Sequence, residues 1–444
     1  MSDPKNDLKK QLAAPSIWRR PWVYLGILAG LIAAAFVLYQ LPFIHDRASV
    51  YVENLYSNIY YRLNPPSEAV FDPSQQGTVS AQVAATITAM APTSEPLPTG
   101  TASPELTPTG AATMLPTFTP IPVPAAYTLE GMGLEYQTFN NCGPANLSMD
   151  VTYWGWPTTQ DVTESRLKSH PDDRNVMLTE MLDYVRTYTE LDGLIRYGGT
   201  IERIKPLIAA GFPVLLERGH TDPKDGWMGH YSIITAYDDS SRTVTIPDTL
   251  LGVMTLSYDD LALDWAHFDG IYLVIFPPDR QNEVMTLLGE DADPQVNLQR
   301  AVERVSANLQ TASGRELFFA WYSLGSLKVL QQDYPAAAEA YDQAFSLYGQ
   351  LPVSERPWRI TWYQVGPYEA YYYTGRFQDV VSLAQQTLDN TREDSLPETW
   401  LWAGRAALML GDEDKARAYL QGALEWYPGW DLALAEMAKL DAGS

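Results

Sequence analysis

The segment QTFNNCGPANLSMDVTYWG, residues 137–155, decides how the central part of this chain is interpreted. Pro144 suits the first turn of a helix, because its missing N–H is not needed there. Cys142 therefore lies at the N-terminus of a predicted helix, 144–154. The helix macrodipole and free backbone N–H groups at that end favour a thiolate and can stabilise an oxyanion. The segment predicts a nucleophilic cysteine; the ordinary alternative for a free cysteine is a small buried hydrophobe.

A thiolate nucleophile needs a neighbouring imidazole, and the chain has five histidines. His230 opens the apolar run HYSIITAYD, which predicts a strand that would hold the ring at a sheet edge. The alternative for His230 is a strand-start residue packed against tryptophan. Asp248 ends the next predicted strand, RTVTIPD, where it would orient the imidazole or serve as an ordinary turn residue.

Helical patterns precede short apolar runs of strand length in the region around Cys142. This order favours an α+β domain, predicted over residues 126–280, rather than a doubly wound parallel sheet. Besides 144–154, the predicted helices are 161–168, 176–188 and 201–210, and the predicted strands are 194–197, 213–216, 231–237, 243–246, 252–256 and 271–276.

Four segments within residues 136–276 together resemble cysteine-peptidase family thirty-nine, the bacteriocin-leader (double-glycine) peptidases and their stand-alone relatives. They are NNCGPANLSMDVTYWG, GGTIERIKPLIAAGFPVLLE, GHYSIITAYDD and VTIPD. The resemblance implies a papain-like fold with Cys142 as nucleophile, His230 as general base and Asp248 as the orienting residue. It also implies that Gln137 completes the oxyanion hole, although Gln137 lies five residues before Cys142, one fewer than is usual.

The N-terminal part of the chain has the pattern of a membrane anchor. The apolar run 22–43 has the length of ~20 residues that a helix needs to cross a bilayer, and basic residues in 1–21 precede it. Because the positive side stays in the cytoplasm, the rest of the chain is expected outside the cell. A cleaved signal peptide is the alternative, but the run is long for one. The family's leader peptidases are cytoplasmic domains of export transporters, whereas this chain is expected to face outward. We therefore do not assign their substrate to this chain.

Two segments are predicted between the anchor and the α+β domain. Residues 44–64 form a juxtamembrane segment, with a short amphipathic helix expected over 50–62. Residues 65–125 are rich in Pro, Thr, Ser, Ala and Gly, and such a composition buries too little apolar surface to fold. We interpret 65–125 as a disordered stalk.

Residues 295–444 are predicted to be all-α, with tetratricopeptide-like repeats. Trp321, Gly325 and Tyr341 recur in register as Trp400, Gly404 and Leu420, which is the spacing of small and aromatic residues in such repeats. A middle copy is degenerate, and its Gly366-Pro367 pair should break a helix. The alternative is a plain helical bundle. We expect this region to bind a protein partner, apart from the active site.

The leading functional hypothesis is a membrane-anchored, extracytoplasmic cysteine peptidase that acts on a peptide or protein substrate. The alternatives are another papain-like acyl-transfer enzyme, such as a cell-wall amidase or a transglutaminase-like protein, and a non-catalytic membrane-anchored scaffold. The net charge of −24 disfavours nucleic acid as a partner. The sequence has no HExxH motif, no Cys/His cluster with ligand spacing and no P-loop, so neither a metal nor a nucleotide cofactor is expected.

Overall fold

The computed structural model describes residues 21–67, 71–73, 123–222 and 226–443. The predicted basic tail lies outside these residues except for Pro21, and so does most of the predicted stalk. The first helix, α1, is Pro21–Tyr39 and has no buried residue. Within the described ranges, α1 is the one helix that is long and apolar enough to cross a membrane, judged by length and composition.

The chain turns at a proline directly after α1. Leu41 is extended, with φ −76° and ψ 123°, and the second helix, α2, begins at Pro42 and runs through Pro42–Leu63. A proline disfavours the helical conformation for the residue before it, so α1 and α2 are separate helices. Helix α1 therefore ends at Tyr39, before the end of the predicted span 22–43. The predicted juxtamembrane helix 50–62 is part of α2, which begins earlier, at Pro42.

The central region contains two four-stranded antiparallel sheets. One sheet has the order β1-β5-β6-β7 and the other has the order β2-β8-β3-β4. The predicted strand 231–237 is two strands, because the chain passes from one sheet to the other at Thr235. The strands are β1 Ala126–Thr128, β2 Asp192–Arg196, β3 Val214–Asp222, β4 Gly226–Ile234, β5 Ala236–Asp238, β6 Thr243–Asp248, β7 Gly252–Ser257 and β8 Tyr272–Phe276.

Three helices lie between β1 and β2, and this mixture of helices with antiparallel sheets is expected for an α+β domain. The helix that begins at Cys142 is buried along most of its length. The sequence patterns located the first four helices to within two residues but missed the last two. The helices are α3 Cys142–Tyr153, α4 Gln160–Leu167, α5 Leu178–Tyr188, α6 Ile201–Ala209, α7 Tyr258–Ala266 and α8 Gln281–Leu288.

The C-terminal region is helical throughout, apart from short turns and a 3₁₀ segment, Val353–Glu355. Its helices are α9 Pro294–Asn308, α10 Gly314–Leu330, α11 Tyr334–Tyr348, α12 Ile360–Tyr363, α13 Gly366–Tyr373, α14 Phe377–Asp389, α15 Pro397–Met409, α16 Glu413–Trp426 and α17 Asp431–Gly443. The expected break at Gly366-Pro367 is confirmed, because Pro367 lies in the first turn of α13 rather than inside a helix.

Small residues at the predicted repeat positions allow paired helices to approach closely. A Cβ at Gly325 would lie 2.7 Å from the Tyr341 ring, and a Cβ at Gly404 would lie 2.7 Å from Leu420 Cγ. The pairs α10–α11 and α15–α16 therefore use the same contact at equivalent positions. This geometry agrees with the in-register pattern expected from the sequence.

The helical region shares a hydrophobic core with the α+β domain. Trp227 and Phe268 belong to the same buried cluster as Phe318 and Phe319 of α10. The Trp227 ring is stacked on Phe268 at 5.7 Å, and its centroid is 5.2 Å from that of Phe319. The two regions are thus packed as a single hydrophobic unit at this boundary.

Candidate active site

Cys142 is the first residue of α3, as predicted. The next residue, Gly143, is packed so closely that a Cβ there would lie 2.8 Å from Met181 Cε and 3.3 Å from the Tyr231 ring. A larger residue would push α3 away from the strand that carries Tyr231. The Cys-Gly sequence therefore lets the helix N-terminus approach β4.

Asn146 fixes the position of α3 relative to β4. Its Nδ2 donates to the Cys142 carbonyl at 2.9 Å and to the Tyr231 carbonyl at 3.1 Å. Asn146 is completely buried. Its side chain holds the backbone at Cys142 against the backbone next to His230.

His230 lies in the middle of β4 rather than at its start. The strand begins at Gly226, because residues 226–234 pair with β3 and place Arg218 opposite His230. The expectation that His230 opens its strand is therefore wrong in register, whereas β4 does lie at the edge of its sheet. The side chain is nevertheless buried and lines the same cleft as Cys142, close enough for each group to shift the pKa of the other.

Asp248 contacts both the His230 imidazole and the turn that follows β6. Its Oδ2 lies 2.9 Å from His230 Nε2. Its Oδ1 accepts hydrogen bonds from the backbone N–H groups of Leu250 and Leu251, each at 2.9 Å. The turn after β6 thus fixes one carboxylate oxygen while the other faces the imidazole.

Opposing effects set the pKa values of the three groups. Burial raises the pKa of the Cys142 thiol, but the hydrogen bond and charge of His230, helped by two backbone N–H groups, lower that pKa below its usual value. Burial lowers the pKa of His230, but the charge and hydrogen bond of Asp248, together with Cys142, raise it to about 9. Burial raises the pKa of Asp248, but His230 holds it well below its usual range. These directions favour a thiolate–imidazolium pair near neutral pH.

Gln137 lies beside this group and lines the same cleft. Its backbone N–H donates to the Thr249 carbonyl at 2.9 Å, and its Oε1 accepts from the Thr249 hydroxyl at 2.6 Å. Because Oε1 is held in this way, the amide NH₂ is the part of the side chain left to donate into the cleft. Thr249, which was not singled out in the sequence, orients Gln137 and directly follows Asp248.

Arg218 is a buried charge that sequence reasoning missed. It is 1% exposed, and its guanidinium lies 3.6 Å from Asp248 Oδ2 and 3.2 Å from Asp264 Oδ2. Its Nε also donates to the Ser232 hydroxyl at 3.0 Å. One sequence feature could have indicated it: the charged pair Glu217 and Arg218 directly follows the apolar run of the predicted strand 213–216.

Two more titratable side chains line the cleft. His220 lies in β3 with its ring centroid 6.0 Å from that of His230. Burial and the positive charges of His230 and Arg218 lower the pKa of His220 to about 4, so it stays neutral near pH 7. Burial raises the pKa of Glu217 well above its usual value, and Glu217 accepts from the Tyr231 hydroxyl at 3.1 Å.

Segments outside the α+β domain complete the cleft, which encloses about 190 Å³. This is smaller than the roughly 300–1,000 Å³ of a typical small-molecule pocket. The expectation that the helical region stays apart from the active site is wrong. Besides the residues around Cys142, the lining includes Val50, Asn54, Ser57 and Tyr61 of α2 and Arg359, Trp362 and Tyr363 of the helical region.

Two of the three remaining histidines lie away from the cleft, and the side chain of the third is not among the described residues. His267 is buried at the boundary with the helical region, where its Nε2 is 2.8 Å from Glu316 Oε2. His170 is half-exposed beside Asp172. The His45 side chain lies outside the described residues. Among the described residues, no group of three or more His, Cys, Asp or Glu side chains could hold a metal ion.

Comparisons with known proteins identify two parts of the chain. Residues 125–274 match the family model described as Peptidase_C39 like family, and residues 397–429 match the model of the tetratricopeptide repeat. No curated protein matches the chain.

Two solved structures each match about a third of the chain. One is a C39-like peptidase from Bacillus anthracis, with 14% identity and a TM-score of 0.28 over 34% of this chain and 97% of that chain. The other is a double glycine motif protease from an AMS/PCAT transporter in complex with the leader peptide, with 17% identity and a TM-score of 0.26 over 34% of this chain and 94% of that chain. The family-model matches and the architecture described above give a C39-like peptidase fold followed by tetratricopeptide repeats.

Proposed function

We propose that this chain is a membrane-anchored, extracytoplasmic cysteine peptidase that hydrolyses peptide bonds. The observation that carries the proposal is that Cys142, at the start of α3, lines the same cleft as His230, whose Nε2 lies 2.9 Å from Asp248 Oδ2. In this proposal residues 126–280 form the catalytic domain, and residues 295–444 hold a protein partner or present the substrate.

The chemistry follows from the positions of the groups. The Cys142 thiolate attacks the peptide carbonyl carbon, and the carbonyl oxygen becomes an oxyanion. The Gln137 amide and the N–H groups at the start of α3 donate to that oxyanion. His230 gives its proton to the leaving amine as the C–N bond breaks, and then takes a proton from the water that hydrolyses the thioester. Asp248 keeps the imidazole oriented throughout.

The membrane placement rests on α1 and its basic flank. An uncleaved α1 would span the bilayer, and the lysines and arginines before it would keep the N-terminus in the cytoplasm. The catalytic domain would then lie outside. Protease added to intact cells should release that domain, whereas protection of the domain in intact cells contradicts this topology.

Comparison of released peptides tests the proposed activity directly. Membranes that carry the wild-type protein or the Cys142→Ala variant are incubated with candidate peptide and protein mixtures, and new termini are identified by mass spectrometry. We expect termini that depend on Cys142 and are also lost in His230→Ala. Identical termini from wild-type and Cys142→Ala protein would reject the proposed peptidase. Release of amide-linked groups from a cell-wall glycan, without any cleavage of peptides, would indicate a cell-wall amidase.

A further inference from the structure

Helix α2 has two faces with opposite surroundings. Val50, Asn54, Ser57 and Tyr61 follow each other at helical spacing and line the cleft above Cys142. On the opposite side of the helix lie four exposed apolar residues, which we call the apolar stripe: Val52, Leu55, Ile59 and Leu63 are 54%, 61%, 48% and 74% exposed. The spacing of three to four residues aligns all four along one face.

The cleft-facing side of α2 is fixed to the helical region. The Tyr61 hydroxyl accepts from the Arg392 backbone N–H at 3.2 Å, and the Tyr61 ring lies 5.0 Å from Trp358. Arg392 also pairs with Glu53 at 3.5 Å and donates to the Ser57 hydroxyl at 3.4 Å. These contacts determine which side of α2 faces outward, so the stripe cannot turn inward without breaking them.

The neighbouring residues suit an apolar–aqueous boundary. Tyr51 and Tyr56 flank the stripe and are 69% and 56% exposed. Tyrosine is favoured at the membrane–water boundary, because its ring is apolar and its hydroxyl is polar. No charged residue falls within the stripe; Arg62 lies at its edge and can extend its head group towards water.

The chain itself indicates what covers this face. Only Gln40 and Leu41 separate α2 from α1, so α2 begins where the proposed membrane span ends. We propose that the apolar stripe of α2 lies in the surface of the bilayer and holds the catalytic cleft against it. The proposal rests on the proposed membrane anchor. The binding is apolar, because the net charge of −24 gives no attraction to anionic lipid.

This placement defines a substrate class for the proposed peptidase. One face of α2 contacts lipid while the other lines the cleft, so the cleft lies about one helix diameter, roughly 10 Å, from the bilayer. A peptide that is tethered to the membrane, or that emerges from it, reaches Cys142 at a high effective concentration. The preferred substrates are therefore juxtamembrane peptide segments rather than soluble peptides.

Spin labels provide a direct test that does not depend on activity. Cys142→Ala removes the only cysteine, so Leu55→Cys or Ile59→Cys adds one labelling site in that background. The full chain is reconstituted into phosphatidylcholine vesicles, with Leu432→Cys, which replaces a side chain 49% exposed on α17, as the matched control. We expect labels at 55 and 59 to be relaxed by oxygen, which partitions into lipid, and shielded from a water-soluble nickel complex. The label at 432 should show the reverse.

Two results would overturn the placement. One is a label at 55 as accessible to the nickel complex as the label at 432. The other is strong dipolar broadening between labels at 55, which would mean that a second copy of the chain covers the stripe.

Turnover separates this inference from the proposed activity. Leu55→Glu/Ile59→Glu should lower the ratio of turnover on a lipid-tethered peptide to turnover on the same soluble peptide at least tenfold. Leu432→Glu/Leu434→Glu should keep the wild-type ratio. An unchanged ratio in the α2 variant would reject the preference for lipid-tethered substrates but not the proposed peptidase activity. Cleavage retained in Cys142→Ala would reject the peptidase activity but not the placement of α2 on the bilayer.

Discussion

At the scale of single side chains, burial and hydrogen bonding act on the Cys142 thiol in opposite directions. Burial disfavours its thiolate, whereas the His230 imidazolium and the backbone N–H groups of Tyr231 and Gly143 favour it, and the second influence is the larger. His230 keeps its proton because Asp248 outweighs the cost of burying a charge. The pair therefore depends on three residues from three separate elements.

Alkylation of Cys142 should reveal this coupling. Because its pKa is lowered, the rate of reaction with iodoacetamide should reach half its maximum below about 8.5, the pH expected for a free thiol. His230→Ala removes the hydrogen bond and the positive charge, so the midpoint should move upward. The measurement is the alkylation rate from pH 4 to 10, followed by mass spectrometry. A midpoint that does not move in His230→Ala would contradict the ion pair.

Substitutions at Asp248 should separate its charge from its hydrogen bond. Asp248→Asn keeps an acceptor near His230 but loses the charge that raises the pKa of that imidazole to about 9. The alkaline limb of the turnover–pH profile should therefore move to lower pH. Asp248→Ala should lower turnover further, by roughly a hundredfold, because the imidazole loses its orienting group. Equal profiles for wild-type and Asp248→Asn protein would exclude this role for the carboxylate.

At the scale of elements, the site depends on the contact between α3 and β4. Gly143 allows the close approach, and Asn146 fastens the two backbones. The hairpin of β3 and β4 places Arg218 opposite His230 and next to Asp248. The elements thus position Cys142, His230 and Asp248 by backbone contacts as much as by side chains.

Loss of the Asn146 amide should weaken both the fold and the site. Asn146→Ala leaves two buried carbonyls with one donor fewer, which costs about 1–3 kcal/mol in the free energy of unfolding. Turnover should also fall, because α3 is no longer fastened beside His230. Urea unfolding and steady-state kinetics measure the two effects. As a control, Asn282→Ala on the exposed side of α8 should change the unfolding free energy by less than about 0.5 kcal/mol.

At the scale of the whole molecule, the helical region supports the catalytic domain directly. Phe319 packs against Trp227 and stacks on His267 at 3.7 Å, and His267 pairs with Glu316. Arg359 donates to the Trp227 carbonyl at 3.1 Å. The same region lines the cleft, so the two parts share both a core and a site.

Phe319→Ala should destabilise the entire protein rather than the repeats alone. The side chain is 1% exposed, and such a deletion costs about 3–5 kcal/mol. Unfolding followed by far-ultraviolet circular dichroism and by Cys142 accessibility should shift together. If the helical signal shifts while Cys142 stays protected, the two regions unfold independently and the shared core contributes little.

A group of carboxylates at the boundary between the regions makes stability depend on pH. Burial raises the pKa of Glu180 to about 7, and Asp173 adds to the effect. Glu398 of α15 lies close enough to Glu180 and Asp173 that they raise its pKa further, beyond the effect of burial. A carboxyl whose pKa is higher in the folded state costs stability once the pH exceeds its unfolded value of about 4.3, and the cost grows until about pH 7.

Glu180→Gln should therefore raise the melting temperature at pH 8 and change it little at pH 4. The amide oxygen can still accept from the Met177 N–H, which Glu180 does at 2.7 Å. Differential scanning calorimetry at both pH values tests the prediction, with Glu202→Gln at the start of α6 as an exposed control. A lower melting temperature at pH 8 in Glu180→Gln would show that the charged carboxylate stabilises the boundary.

Local sequence determined the features that depend on neighbours along the chain. Pro144 placed Cys142 at a helix N-terminus, and short apolar runs placed β2, β6, β7 and β8 to within two residues. The repeat positions Gly325 and Gly404 were recognisable because helix pairs need small residues at fixed spacing. Pro367 marked a helix boundary for a similarly local reason, since its ring and missing N–H exclude it from a helix interior.

Only the tertiary structure decided which distant residues meet at the cleft. Periodicity shows which face of an element is apolar, but it carries no information about which other element packs on that face. The register of β4 on β3 placed His230 in mid-strand and Arg218 beneath Asp248. Tyr61 and Arg359 reached the cleft through contacts with partners more than a hundred residues away in sequence, such as Arg392 and Trp227. Such contacts arise from the packing of the whole chain, because the burial that stabilises them exists only after all the elements have assembled.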